Sequence, residues 1–384
     1  MVKALGSMVC FIVSLGVAQA DTLRVLNWYD YIDEALLAQF EAETGLTVDY
    51  VEFDSAIEFS SLYASGKGTW DIVIMPPHEA PILIELGELL PFDPQLAPNI
   101  GGIDEQHRQS LSAFDPSGTY LLPYMWGTTG LGLDTGAIEA LLGPDYPRDF
   151  SLIFDPRYLE ILSQCGVAVI DDPGEVFPIW ALYQNRPDVN YSAAARREFR
   201  SFMAEVGVYY DSYLSADVID RFSSGELCVV MGYSGDIFMA MDLAAEADRP
   251  LALEYLLPSS GTTIWHDPIA VPLGADVAAA HQFLDFIFRP ESMAALTNYT
   301  WYANPVSASN PLIEPDILED DSIYPLAATM ERLRPTPSLD ISDTKSLLRT
   351  WHQIKCVGQP YCHIPMSLGP GFPLELYYEL DGGE

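Results

Sequence analysis

Basic side chains are scarce in this chain: its 384 residues carry 18 Lys and Arg against 55 Asp and Glu, a formal net charge of −37. Such a field repels the phosphates of nucleic acid and of anionic lipid, which excludes both as partners. It draws cations in, although solubility in a salty habitat is reason enough for the bulk charge. Also missing, beyond residue 20, is any apolar run long enough to span a bilayer. There is no internal repeat, low-complexity tract or basic run. What is present is 49% hydrophobic residues, so the chain is globular and not a disordered acidic tail. Its length suits two domains of ordinary size.

Residues 1–20, MVKALGSMVCFIVSLGVAQA, have one early Lys, an apolar run from Met8 to Ala18 and a small-residue end at Ala18-Gln19-Ala20. That is the pattern of a cleaved secretory signal. Cys10 sits inside the apolar run and not at the cleavage point, which argues against a lipid anchor. An exported protein, free in the periplasm, is expected. Cysteine is sparse, and export leaves four: Cys165, Cys228, Cys356 and Cys362. An even number in an oxidising compartment points to disulfides, with three pairings open. The rival is a zinc site from His352, Cys356, Cys362 and His363. Outside the cytoplasm the disulfides are preferred, and no metal or cofactor is expected.

The mature chain opens on LRVLNWYDYI, a strand that releases Trp28, Tyr29, Asp30 and Tyr31 into a loop. Ile32, Leu36, Leu37 and Phe40 then form a helical apolar stripe that Gly45 stops. LTVDYVEF and WDIVIM read as strands, with a helix through Ala56–Ala64 between them and another through HEAPILIELGEL. The same rhythm returns in VAVIDD, a helix through Phe177–Leu182, CVVMGY, and a helix through Ile237–Ala244. Alternating strands and helices predict α/β lobes with parallel sheets.

In open parallel sheets, ligands gather at the carboxyl ends of the strands. There the sequence places the Trp28–Tyr31 cluster; Pro76, Pro77 and His78; Asp171, Asp172 and Glu175; Tyr233 and Asp236; and Trp265 and Asp267 in IWHDPIAVP. Aromatics and acids recur, and Lys and Arg are absent from all of these ends. One such cluster means little, because Asp30, Asp33 or Glu175 alone reads as a helix cap and a lone Trp or Tyr as core. Together they describe one pocket for a cation.

NWYDYI, FEAETGLTV, WDIVI, LPYMWGTTGLG, CGVAVIDDPGEVF, GELCVVMGYSGD, HDPIAVP, FLDFIFRPE and YANP stand in an order and spacing that resemble the periplasmic polyamine-binding proteins, most closely the putrescine-binding type. The resemblance covers about residues 21–355. It implies a periplasmic-binding-protein type II fold: two α/β lobes joined by a hinge, with the ligand cleft between them and crossing segments near Gly127, Asp267 and Asn310. The implied lobes are 21–127 with 267–311, and 128–266 with 312–363, followed by an irregular extension, 364–384. The implied partners are a polyamine and the membrane permease of an ABC transporter, with the receptor a monomer and not an enzyme.

Carried over by position, Trp28, Asp30, Tyr31, Glu175, Ser215, Tyr233, Asp236, Trp265, Asp267 and Tyr302 match the family's pocket, with Asp267 as the main ammonium partner. Cys165–Cys228 falls where the putrescine-binding type carries a disulfide, which leaves Cys356–Cys362 as a local pair. Departures are Tyr29 for a small hydroxyl residue, Pro76 and His78 for serines, Tyr233 for a Trp, and the segment with Cys356 and Cys362 beyond the family's usual end. Tyr29 and His78 join the candidate contacts. Asp236 favours a short diamine over spermidine, although Trp265 is the ring the spermidine type prefers. Agmatine and a metal ion are rival ligands. The rival class is a secreted hydrolase, because GYSGD places Ser234 between a strand and a helix. Asp236 stands where that turn needs glycine, and its charge opposes a developing oxyanion.

Overall fold

The computed structural model describes residues 22–188, 190–214 and 217–356. The leader, Ser215, Cys362, His363 and the extension 364–384 lie outside the described residues. Among those residues eleven strands run in chain order: β1 (Thr22–Trp28), β2 (Thr47–Phe53), β3 (Ile72–Ile74), β4 (Leu89–Leu90), β5 (Leu122–Asp134), β6 (Val167–Ile170), β7 (Ser212–Leu214), β8 (Val229–Tyr233), β9 (Leu253–Leu256), β10 (Thr263–Pro272) and β11 (Arg334–Pro335). Hydrogen bonds link them in the order β2-β1-β3-β10-β5-β8-β6-β7, with β4 and β11 on β10 and β9 on β5.

The strand–helix rhythm has local causes. After β1, Asp33 caps the helix Glu34–Thr44 by accepting from Ala35 N, and Gly45 ends it in the left-handed region at φ 76°. After β6, Asp172 caps the helix Pro173–Tyr183 by accepting from Gly174 N at 2.7 Å. In the first half of the sheet, Phe40 packs edge-on against Phe283 and Phe286 at 5.3 and 5.4 Å. In the second, Trp180 and Phe199 meet at 5.2 Å over β6 and β8.

The expected parallel pairing holds for β1 with β2 and β3, and for β6 with β7 and β8. It fails for the two longest strands. β10 is antiparallel to β3, β4 and β5, and β5 is antiparallel to β8 and β9. The reason lies in what β5 joins. Its first half pairs with β10 and its second with β8 and β9, so the chain leaves one half of the sheet along β5 and comes back along β10. All thirteen of its residues are buried. The Cys165–Cys228 disulfide forms as expected, with Cα atoms 5.5 Å apart, and ties the loop before β6 to the start of β8.

Candidate ligand-binding site

A cavity of about 100 Å³ opens where β1, β3, β6, β8 and β10 end or bend. The strand β1 supplies Trp28, and the chain turns at once: Tyr29 N donates to Phe53 O, and Asp30 N to Glu52 Oε1. Asp30 adopts φ 53°, a left-handed conformation that Asp tolerates. This turn lets Tyr31 fold inward, where its ring meets Tyr124 at 5.5 Å and Tyr302 at 5.4 Å. Trp265 on β10 continues the wall, edge-on to Tyr302 at 5.2 Å and Tyr233 at 5.4 Å. Two glycines make that packing possible. A Cβ on Gly127, opposite Trp265, would lie 2.7 Å from its ring, and one on Gly235 would lie 2.6 Å from the Thr300 carbonyl oxygen while striking the Tyr302 ring.

Five carboxylates line the same cavity: Asp54, Asp172, Glu175, Asp236 and Asp267. No Lys or Arg is among its described lining residues. Asp267 sits at a break in register between Asp267 and Pro268 on β10, the kind of bulge that re-aims a side chain. Burial, and then the charges of Glu175, Asp172 and Asp236, hold its carboxyl well above the usual range; the nearby Tyr31 hydroxyl offsets part of the rise but lacks hydrogen-bonding geometry. Asp236 is pushed up to about 6, mainly by burial, although Tyr302 OH donates to its Oδ1 at 2.7 Å. Glu175 is also raised, first by burial and then by the charge of Asp172. It is held by three hydroxyls: Thr129 and Thr263 donate to Oε2 and Thr336 to Oε1. Tyr233 OH donates to Asp172 at 2.9 Å.

Buried carboxylates without a cation among them raise one another's pKa. A ligand that brings positive charge would reverse that penalty, and the rings would face its methylenes and attract its ammonium groups.

The sequence pattern of the bacterial extracellular solute-binding proteins matches residues 35–325. The chain belongs to that family. It is 31% identical to the putrescine-binding periplasmic protein SpuD of Pseudomonas aeruginosa, an alignment covering 88% of this chain and 94% of that one. It is 29% identical to the putrescine-binding periplasmic protein PotF of Escherichia coli, over 91% and 95% of the two chains. Among solved structures, a chain described as a spermidine/putrescine ABC transporter from Listeria monocytogenes superposes with a TM-score of 0.77 at 25% identity, over 88% of this chain and 99% of that one.

In this solute-binding protein the structure gathers ten of the twelve expected contacts around one cavity: Trp28, Tyr29, Tyr31, His78, Glu175, Tyr233, Asp236, Trp265, Asp267 and Tyr302. Tyr29 stands at the mouth, 53% exposed. Asp30 does not line the cavity. Its carboxylate accepts from Tyr299 OH at 2.5 Å, and it reaches the site only as a charge that raises Asp236. Ser215 lies outside the described residues. The caps are Asp33 and Asp172, which leaves Asp30 and Glu175 free of that duty. Sequence reasoning did not select Phe53, Asp54 or Thr336, and it placed Asp172 at a strand end without carrying it into the contacts. The signal for Asp172 was present in the acid pair after VAVI, but Glu175 drew the assignment.

Proposed function

We propose that this protein is the exported receptor of an ABC importer, that it captures a linear polyamine in the acid-lined cavity, and that it favours a short putrescine-like diamine. The observation that carries the proposal is the lining itself: five carboxylates, no Lys or Arg among the described lining residues, and aromatic rings between the acids. A diamine's ammonium groups lose their water on entry and need ionised acceptors in its place. Asp267 and Asp236 offer these, while Trp28, Tyr31, Tyr233, Trp265 and Tyr302 would flank the alkyl chain. The names of the relatives support the ligand class, as do those of a putrescine/agmatine-binding protein of P. aeruginosa at 30% identity and a spermidine/putrescine-binding protein of Salmonella typhimurium at 26%.

In this proposal residues 1–20 are a cleaved signal, the mature protein works in the periplasm as a monomer, and its partner is the importer's permease. The lobes are 21–127 with 267–311 and 128–266 with 312–363, closing on the ligand about β5 and β10. No described helix is long and apolar enough to cross a membrane. A hydrolase gains no support from the histidines. His266 Nε2 meets His107 Nδ1 at 3.0 Å, both nitrogens of His281 are engaged, by Asp93 N and Val277 O, and among the described residues no hydrogen bond joins either ring to Ser234.

Titration calorimetry of the mature protein with putrescine, cadaverine, spermidine and agmatine tests the proposal. Binding of a diamine without chemical change is expected, with compaction in solution scattering as the lobes close. Failure of all four to bind would sink it.

A further inference from the structure

Beyond the acid-lined cavity lies a second chamber, about 280 Å³ against about 100 Å³ for the first. Trp28, Asp54, Asp172, Tyr233 and Thr336 line both, so the two share a wall. The second chamber's own wall has a different chemistry. Leu339, Leu348 and Trp351 make it apolar. The carboxylate it adds, Asp171, is already neutralised: Lys355 Nζ lies 2.8 and 2.5 Å from its two oxygens, and Trp351 Nε1 donates to it at 2.6 Å. Just beneath the wall are three polar atoms without a hydrogen-bond partner among the described residues, namely Thr344 Oγ1, Tyr191 OH and, at the shared wall, Trp28 Nε1.

Each of these three can donate a hydrogen bond, and the indole N–H can only donate. An ammonium, which has no acceptor, cannot satisfy them all, and the Asp171–Lys355 pair offers it no free charge on the far wall. A carbonyl oxygen suits them, and hydrocarbon suits the leucines. We propose that the second chamber receives the uncharged N-acyl tail of a polyamine whose ammonium groups sit among the acids of the first. This deepens the polyamine-receptor proposal and rests on it.

N1-acetylspermidine is the probe, because it keeps two charges at the spacing of putrescine and adds an acetamide on a three-carbon arm. Spermidine is its control, with an ammonium where the probe has the amide. The expected result is that the full mature protein binds the acetylated probe about tenfold more tightly than spermidine. Leu348→Trp, which fills the chamber, is expected to weaken the probe about tenfold and to leave putrescine within twofold, the putrescine titration also showing that the variant is folded. Thr344→Val, which removes a donor at nearly constant shape, is expected to weaken the probe alone. Equal or weaker binding of the probe than of spermidine, or a parallel loss of putrescine and probe in both variants, would overturn the inference while leaving the receptor intact. Failure of putrescine itself to bind the unaltered protein would instead remove the receptor proposal, and this inference with it.

Discussion

Replacing Asp267 by Asn keeps the shape of the side chain and removes the charge an ammonium would meet. Truncating one member of a buried charge pair costs roughly 2–5 kcal/mol. Two features of the site place this case in the lower half of that range. Burial and the neighbouring acids penalise the ionised carboxyl before a ligand arrives, so part of the wild-type binding energy goes to offsetting that penalty. Glu175, Asp172 and Asp236 also remain in the variant and still attract the ligand. The expected loss is about 2–3 kcal/mol, or roughly 30- to 150-fold in the dissociation constant for putrescine.

Calorimetry with putrescine at one fixed pH and salt reads the loss, and thermal unfolding of the free proteins reads any effect on the fold. The free variant should unfold no earlier than wild type, because it removes a carboxyl that burial and three neighbouring acids disfavour. Unchanged affinity would show that the ammonium sits elsewhere. A free protein destabilised as much as binding is weakened would show that Asp267 only supports the fold.

Selectivity should follow Asp236: wild type is expected to prefer putrescine to spermidine, and Asp236→Ser to shrink or reverse the ratio of the two dissociation constants at one fixed salt. A wild type that favours spermidine would mean that another residue sets the length. The same carboxyl links stability to pH. Its folded-state pKa is about 6 against an ordinary 3.8, so the folded chain keeps a proton the unfolded chain has lost, and ligand-free stability should fall as pH rises from about 4 to about 6. The fall is worth roughly 3 kcal/mol; urea midpoints across that window should decline less in Asp236→Asn, and an equal decline would refute the assignment. Replacing Cys165 and Cys228 together by Ser opens a link across 63 positions of sequence and should cost about 4 kcal/mol in urea unfolding. A loss below about 1 kcal/mol would place the constraint's effect in residual structure of the unfolded chain.

The opening stretch shows how far the sequence could be read. Trp28 and Tyr31 line the cavity because a strand ends there, and strand ends are legible from where β-branched and apolar runs stop. Asp30 looked equivalent to them, but a left-handed turn aims it at Tyr299, and one residue's φ leaves no mark in the pattern of neighbours. The antiparallel course of β5 was hidden for a different reason. A strand buried on both faces has no alternation, and direction depends on where the chain returns. The hydroxyls around Glu175 were also invisible, since Thr129 and Thr263 are ordinary β-branched strand residues until their partner is known. Asp54 directly follows the strand LTVDYVEF and was open to the same strand-end rule, whereas Thr336 is distant in sequence from the motifs and meets them only through the fold.

Those threonines have a consequence for what can be held at that end of the cavity. A carboxylate offers about four lone-pair directions. At Glu175, Thr129 and Thr263 occupy both on Oε2, and Thr336 takes one on Oε1. One acceptor position is left. A planar guanidinium presents its N–H groups as a fork that wants two parallel oxygens. An ammonium needs only one and turns its remaining protons toward rings or water. Glu175 would therefore offer a bound cation a single socket, favouring an ammonium over a guanidinium before the length of the chain is tested.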